Sequence, residues 1–179
     1  KLRGIHCKKF EINPYAMATS SKNLSAYDKS KIQTDADLKI GIVVSEWNED
    51  ITSNLTKGAV QTLLENNVSN ENIKIQKVPG AFELPLGAQL LLKNQKLDGI
   101  IAIGAVIQGE TKHFDFVCQG ATEGIMRVML DFNTPISFCV LTDNTKEQSI
   151  ARSGGKLGNK GIEAAVSLLQ MITVHKSLS

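Results

Sequence analysis

Residues 99–123, GIIAIGAVIQGETKHFDFVCQGATE, decide the reading of this chain. The apolar run Ile100-Ile101-Ala102-Ile103 has the composition of a strand buried on both faces. Glycines at 104 and 109 are expected to break it. Lys112 and His113 then stand just before a helix expected from about Phe114. Where a strand's carboxyl end feeds a helix's amino end, ligands collect in an α/β sheet. Unpaired backbone N–H groups and the helix dipole there favour an anion, commonly phosphate. A histidine two residues past Thr111 would stand beside such an anion and could move protons near neutral pH.

Outward from this stretch, strand and helix signals alternate. Residues 38–44 (LKIGIVV) form the first expected strand, which ends in the polar loop Ser45-Glu46-Trp47-Asn48 with the only tryptophan. From 49 to about 66, Ile51, Leu55, Ala59, Val60, Leu63 and Leu64 recur at helical spacing. Residues 73–78 form the second strand. Pro79-Gly80 stops it, and Ala81-Phe82-Glu83 leads into a helix whose first turn tolerates Pro85. The helix after the central stretch is expected to reach about Leu130, and residues 136–141 form the last strand. Thr142-Asp143-Asn144 is expected to cap a short helix from Lys146 to about Arg152. A glycine-rich joint spans 153–159, and a terminal helix runs from Lys160 to about Met171. The alternation predicts an α/β fold with a parallel sheet covered by helices on both faces.

At 179 residues the chain suits one domain of common size. Hydrophobic content of 42% and charged content of 21% are ordinary for a globular protein. A net charge of +2 makes no electrostatic case for nucleic acid or an acidic membrane. No apolar run approaches the roughly 18 residues of a membrane span. The three cysteines, Cys7, Cys118 and Cys139, are in no ligand spacing. Cys118 and Cys139 read as buried small hydrophobes. Three scattered histidines make a metal site unexpected, and a reducing, cytoplasmic setting fits.

Residues 1–16 carry Lys1, Arg3, Lys8 and Lys9 against Glu11 and precede Met17-Ala-Thr-Ser-Ser. They are expected to be an added extension or foreign leader, with a transit peptide as the alternative. Residues 17–38 are polar without a strong period and are expected to form an arm. The folded domain is then 39–173, with 174–179 as a tail.

Right-handed crossovers place all four strand ends on one rim. The rim would carry Trp47, then Ala81-Phe82-Glu83, then Glu110-Thr111-His113, then Thr142-Asp143. Singly, each has an ordinary explanation: Trp47 as a core or edge residue, Glu83 as a first-turn acid, His113 as a structural histidine, Arg152 as a surface charge. The Gly-Glu-Thr turn lacks the lysine and hydroxyl of a Walker loop. The combination on one rim is what points to a site.

Three passages, VPGAFELP (78–85), GAVIQGETKHFDFV (104–117) and the R-x-G-x-K-x-G-N-K-G pattern (152–161), resemble the 6,7-dimethyl-8-ribityllumazine synthase family, which acts in riboflavin biosynthesis. The likeness runs from about Lys39 to Met171. Residues 1–16 and those after Thr173 fall outside it, and Lys112 stands where the family varies.

The resemblance implies a flavodoxin-like three-layer α/β/α sandwich around four parallel strands. It implies a transferase that condenses 5-amino-6-(D-ribitylamino)uracil with 3,4-dihydroxy-2-butanone 4-phosphate, giving the lumazine, phosphate and water. Trp47 would stack on the pyrimidine, and Ala81, Phe82 and Glu83 would hold the ring edge and ribityl chain. Gly109, Glu110 and Thr111 would hold phosphate with Arg152, and His113 would be the acid/base. Lys160 would sit near the uracil carbonyls, and Phe138 would come from an adjacent subunit. Asn48, Ala105, Val106 and Ile107 complete the implied substrate-binding set.

The family uses no metal or organic cofactor. It forms pentamers, some of which build sixty-subunit icosahedral shells, and riboflavin synthase is a further implied partner. The arm before Lys39 would add a strand to a neighbour's sheet. The rival reading is a non-catalytic flavin- or lumazine-binding module, or a shell scaffold of the same fold.

Overall fold

The computed structural model describes residue 32 and residues 37–178. The expected leader, Cys7 and most of the arm lie outside the described residues. β1 (Ile40–Ser45), β2 (Ile73–Val78), β3 (Gly99–Ile107) and β4 (Ile136–Asp143) form one parallel sheet in the order β2-β1-β3-β4. The chain steps from β1 to β2 on one side, then crosses back to place β3 on the other. The strand order therefore reverses between β1 and β3, which is where ligands bind in open α/β sheets.

α1 (Glu49–Glu65) and α5 (Lys160–Ser177) pack on one face of the sheet, α2 (Leu84–Asn94) and α3 (His113–Asp131) on the other. The strands divide their side chains accordingly. Ile40, Ile42 and Val44 join Leu55, Leu63, Leu168 and Leu169 in one core, while Val43, Ile100 and Ala102 join Leu84, Ala88, Ile125 and Val128 in the other. This is the expected three-layer sandwich.

Several boundaries differ from expectation, each for a tertiary reason. β3 does not break at Gly104 but runs on to Ile107, pairing Gly104 with Val140. A Cβ at Gly104 would come within 3.1 Å of the Leu84 side chain, so that glycine admits α2 against the sheet rather than turning the chain. α4 (Lys146–Arg152) is capped by Thr145, not by residues 142–144: Thr145 accepts from the Gln148 N–H while the Gln148 side chain reaches back to the Thr145 N–H. The glycine-rich joint is a small hairpin, β5 (Ser153–Gly155) with β6 (Gly158–Asn159). Gly154 has φ 117° and Gly158 has φ 83°, the conformations that require glycine. α5 continues past Met171 to Ser177, because Ile172 still faces the core. Leu38, expected at the head of the first strand, precedes β1 and is buried against the same core.

Cys139 is buried as expected, whereas Cys118 is only half-buried, near the start of α3. Burial, with Glu163 nearby, pushes the Cys139 thiol up to about 12. The unfolded thiol ionises near 9.0, so this group supports folding fully below that pH and less as pH rises toward 12. At pH 8, Cys118 is expected to alkylate in the native protein and Cys139 only after denaturation. Peptide mass spectrometry reads this directly, and native labelling of both at one rate would contradict the burial.

Candidate active site

A cavity of about 580 Å³ opens where the strand order reverses. Its lining comes from the carboxyl ends of three strands: Trp47 and Asn48 after β1, Gly80, Ala81, Phe82 and Glu83 after β2, and Ala105, Val106 and Ile107 at the end of β3. The start of α3 closes it with His113, Phe116 and Val117. Nine of the fifteen residues nominated from sequence thus line one cavity, namely Trp47, Asn48, Ala81, Phe82, Glu83, Ala105, Val106, Ile107 and His113.

Local geometry explains why these side chains reach the cavity. Trp47 is 72% exposed and Phe82 60%, so neither ring is a core residue. A Cβ at Gly120 would lie 2.7 Å from the Phe82 ring, so that glycine lets the ring lie against α3. A Cβ at Gly80 would meet Glu83 Oε2 at 3.0 Å and Trp47 Cδ1 at 3.6 Å, so the absence of a side chain at Gly80 leaves room for both. Asn48 has a left-handed backbone (φ 58°, ψ 48°) and donates from Nδ2 to the Ala105 carbonyl at 2.9 Å.

Phe116 and Val117 were not nominated from sequence. Their signal was present, since they stand three and four residues after His113 and so share its helix face. Two large aromatic faces, a third ring on α3, an imidazole and a carboxylate make a cavity suited to a flat polar heterocycle.

Gly109, Glu110 and Thr111 are exposed in the turn before α3 and do not line this cavity. Thr111 Oγ1 accepts from the His113 N–H at 3.4 Å. Nothing lies within 4 Å of a Cβ built on Gly109, so internal packing does not demand glycine there.

Phe138, Arg152 and Lys160 also lie apart from the cavity of their own chain. Phe138 belongs to β4, the outer strand on the far side from β2, while Arg152 at the end of α4 and Lys160 at the start of α5 sit beside that strand. Phe138 stands on β4 and is 42% exposed. Lys160 Nζ is held by Glu163 Oε2 at 2.6 Å, close enough to Cys139 to act on its thiol. Arg152 Nη1 donates to Asp143 Oδ1 at 2.9 Å, where β4 ends. Asp143, only 5% exposed, also accepts from Ser149 Oγ at 2.7 Å. Among the described residues, Nη2 and Nε of Arg152 have no protein partner. One chain therefore carries an aromatic and imidazole half, and separately a strip of Phe138, Lys160 and Arg152.

Among the described residues, no three His, Cys, Asp or Glu side chains gather as a metal site. No described helix is long and apolar enough to cross a membrane.

Residues 37–176 match the family model described as 6,7-dimethyl-8-ribityllumazine synthase. Curated relatives of that name include one from Christiangramia forsetii, 53% identical over 161 residues, 89% of this chain and 96% of the relative. Another, from Flavobacterium johnsoniae, is 51% identical over 163 residues, 91% of this chain and 86% of the relative. A third, from Porphyromonas gingivalis, is 50% identical over 160 residues, 89% and 99% of the two chains.

Proposed function

The chain belongs to the 6,7-dimethyl-8-ribityllumazine synthase family, and we propose on that footing how its cavity works. It is a transferase of riboflavin biosynthesis, joining 5-amino-6-(D-ribitylamino)uracil to 3,4-dihydroxy-2-butanone 4-phosphate with release of phosphate and water. The observation that carries the residue assignment is the convergence of Trp47, Phe82, Glu83 and His113 on one cavity where the sheet's strand order reverses.

Trp47 stacks on the pyrimidine, and Ala81, Phe82 and Glu83 hold its edge and ribityl chain. Asn48, Ala105, Val106 and Ile107 form the floor. The amine attacks the ketone and loses water as an imine. The C–O bond to phosphate then breaks, and a second amine attack with loss of water closes the ring. Each step moves a proton, and His113, which lines the cavity, carries it in this reading. The phosphate sits at Gly109, Glu110 and Thr111 beside the start of α3, where the helix dipole and N–H groups favour negative charge. Holding two substrates together supplies much of the rest.

Phe138, Arg152 and Lys160 serve the cavity of an adjacent copy, because on their own chain they lie on or beside β4, away from it. Arg152 then offers Nη2 and Nε to the departing phosphate. We place the catalytic unit at residues 39–173, in a cytoplasmic pentamer that builds a sixty-subunit shell, with riboflavin synthase as a further partner.

Mixing the full chain with both substrates is expected to yield a fluorescent lumazine and inorganic phosphate in equal amounts. The appearance of neither would defeat the reading. His113→Ala is expected to lower kcat by about 10²-fold while proximity sustains residual turnover. Stopped-flow traces at saturating substrates measure this, and a wild-type rate would remove His113 from proton transfer.

A further inference from the structure

Trp47 faces the cavity with most of its ring outside the core. Its orientation must therefore come from the backbone that carries it. That backbone is tied on one side by two hydrogen bonds to the segment closing β2: Glu46 N–H donates to the Val78 carbonyl at 2.9 Å and Trp47 N–H to the Pro79 carbonyl at 3.2 Å. On the other side β1 gives out early. Its pairing with β3 ends at Val44 and Ile103, whereas β3 continues beside β4 to Ile107. The Ala105 carbonyl thus lies two residues beyond Ile103, past the last β1–β3 pair.

Asn48 reaches that carbonyl. Its Nδ2 donates to the Ala105 carbonyl at 2.9 Å, replacing with a side chain the rung that β1 no longer supplies. Its left-handed backbone aims the amide there, a conformation asparagine tolerates far better than most residues. Its carbonyl meanwhile accepts from the Ile51 and Thr52 N–H groups at 2.9 and 3.0 Å, fixing the start of α1. We propose that Asn48 is a positioning residue whose amide, by bridging to β3, sets the angle of the Trp47 ring and so the affinity for the heterocyclic substrate. This rests on the reading of Trp47 as the stacking surface.

Trp47 is the only tryptophan in the chain, so its fluorescence reports the ring directly. Asn48→Gly keeps access to the left-handed backbone and removes the amide. Asn48→Asp keeps size and backbone but loses the donor, so it carries the same readouts should the glycine variant fail to fold. In full-length protein, both are expected to lower the anisotropy of ligand-free Trp47 emission and to increase its quenching by acrylamide. The KM for the pyrimidine substrate is expected to rise about tenfold, well beyond any rise for the phosphate substrate. Wild-type anisotropy and quenching in the variants, or equal rises in both KM values, would overturn the proposal. If the wild-type chain makes no lumazine, the reading of its function fails, while the fluorescence comparison still decides whether Asn48 holds the ring.

Discussion

Arg152→Lys is expected to raise the KM for the phosphate-bearing substrate by about 10- to 100-fold, far more than a surface exchange of like charges. Arg152 already gives Nη1 to Asp143, a buried carboxylate that also receives Ser149 Oγ. A guanidinium can keep that anchor and still present Nη2 and Nε as a planar fork. A lysine has one compact charge and must choose between carboxylate and phosphate. Losing a charge-assisted hydrogen bond costs about 1.5–3 kcal/mol, which converts to the stated range. Steady-state kinetics at saturating pyrimidine substrate test it. An unchanged KM would separate Arg152 from the phosphate and leave it as a clamp on the end of β4.

The largest expected effect on stability is at Gly161. α1 and α5 cross closely, and a Cβ on Gly161 would run into the backbone carbonyl of Leu55. On the other helix, a Cβ on Gly58 would meet the Asn159 side chain at 2.6 Å. Asn159 occupies the gap itself, donating from Nδ2 to the Asn54 carbonyl at 2.9 Å and accepting from the Gly161 N–H at 2.8 Å. A flexible side chain could move aside for a methyl group, but a helix carbonyl cannot. Gly161→Ala is therefore expected to cost about 3 kcal/mol or more, at or beyond the upper end of ordinary overpacking. The midpoint of urea unfolding should fall accordingly. A midpoint equal to wild type would show that the two helices can separate freely.

The architecture was legible because it rests on pattern. Apolar runs at 40–44 and 100–103 mark strands buried on both faces, and Ile51, Leu55, Ala59 and Leu63 mark a helix facing them. The pocket residues were legible for a related reason: each follows a strand, and parallel strands bring their carboxyl ends together. Features set by three-dimensional neighbours were not legible. Gly104 looks like a break until Leu84 is seen packed over it. The Thr145–Gln148 cap was present in the sequence, but Thr142, Asp143 and Asn144 offered competing caps nearby. Phe116 and Val117 sit three and four residues after His113, where apolar side chains read equally well as ordinary helix packing. The separation of Arg152, Lys160 and Phe138 from His113 on one chain has no signature in a linear sequence.

That separation gives each chain a direction. Its pocket lies where β1 and β3 part, and its strip of Phe138, Lys160 and Arg152 lies on and beside β4. If one copy's strip completes the next copy's pocket, the contact joins unlike surfaces. A two-fold pair, which sets identical patches against each other, does not create such a contact. Repeated head to tail, it must either close into a ring or grow as an open helix. In a closed ring every pocket is filled and no strip is left over. An isolated chain would hold both halves of the machinery and not one working site.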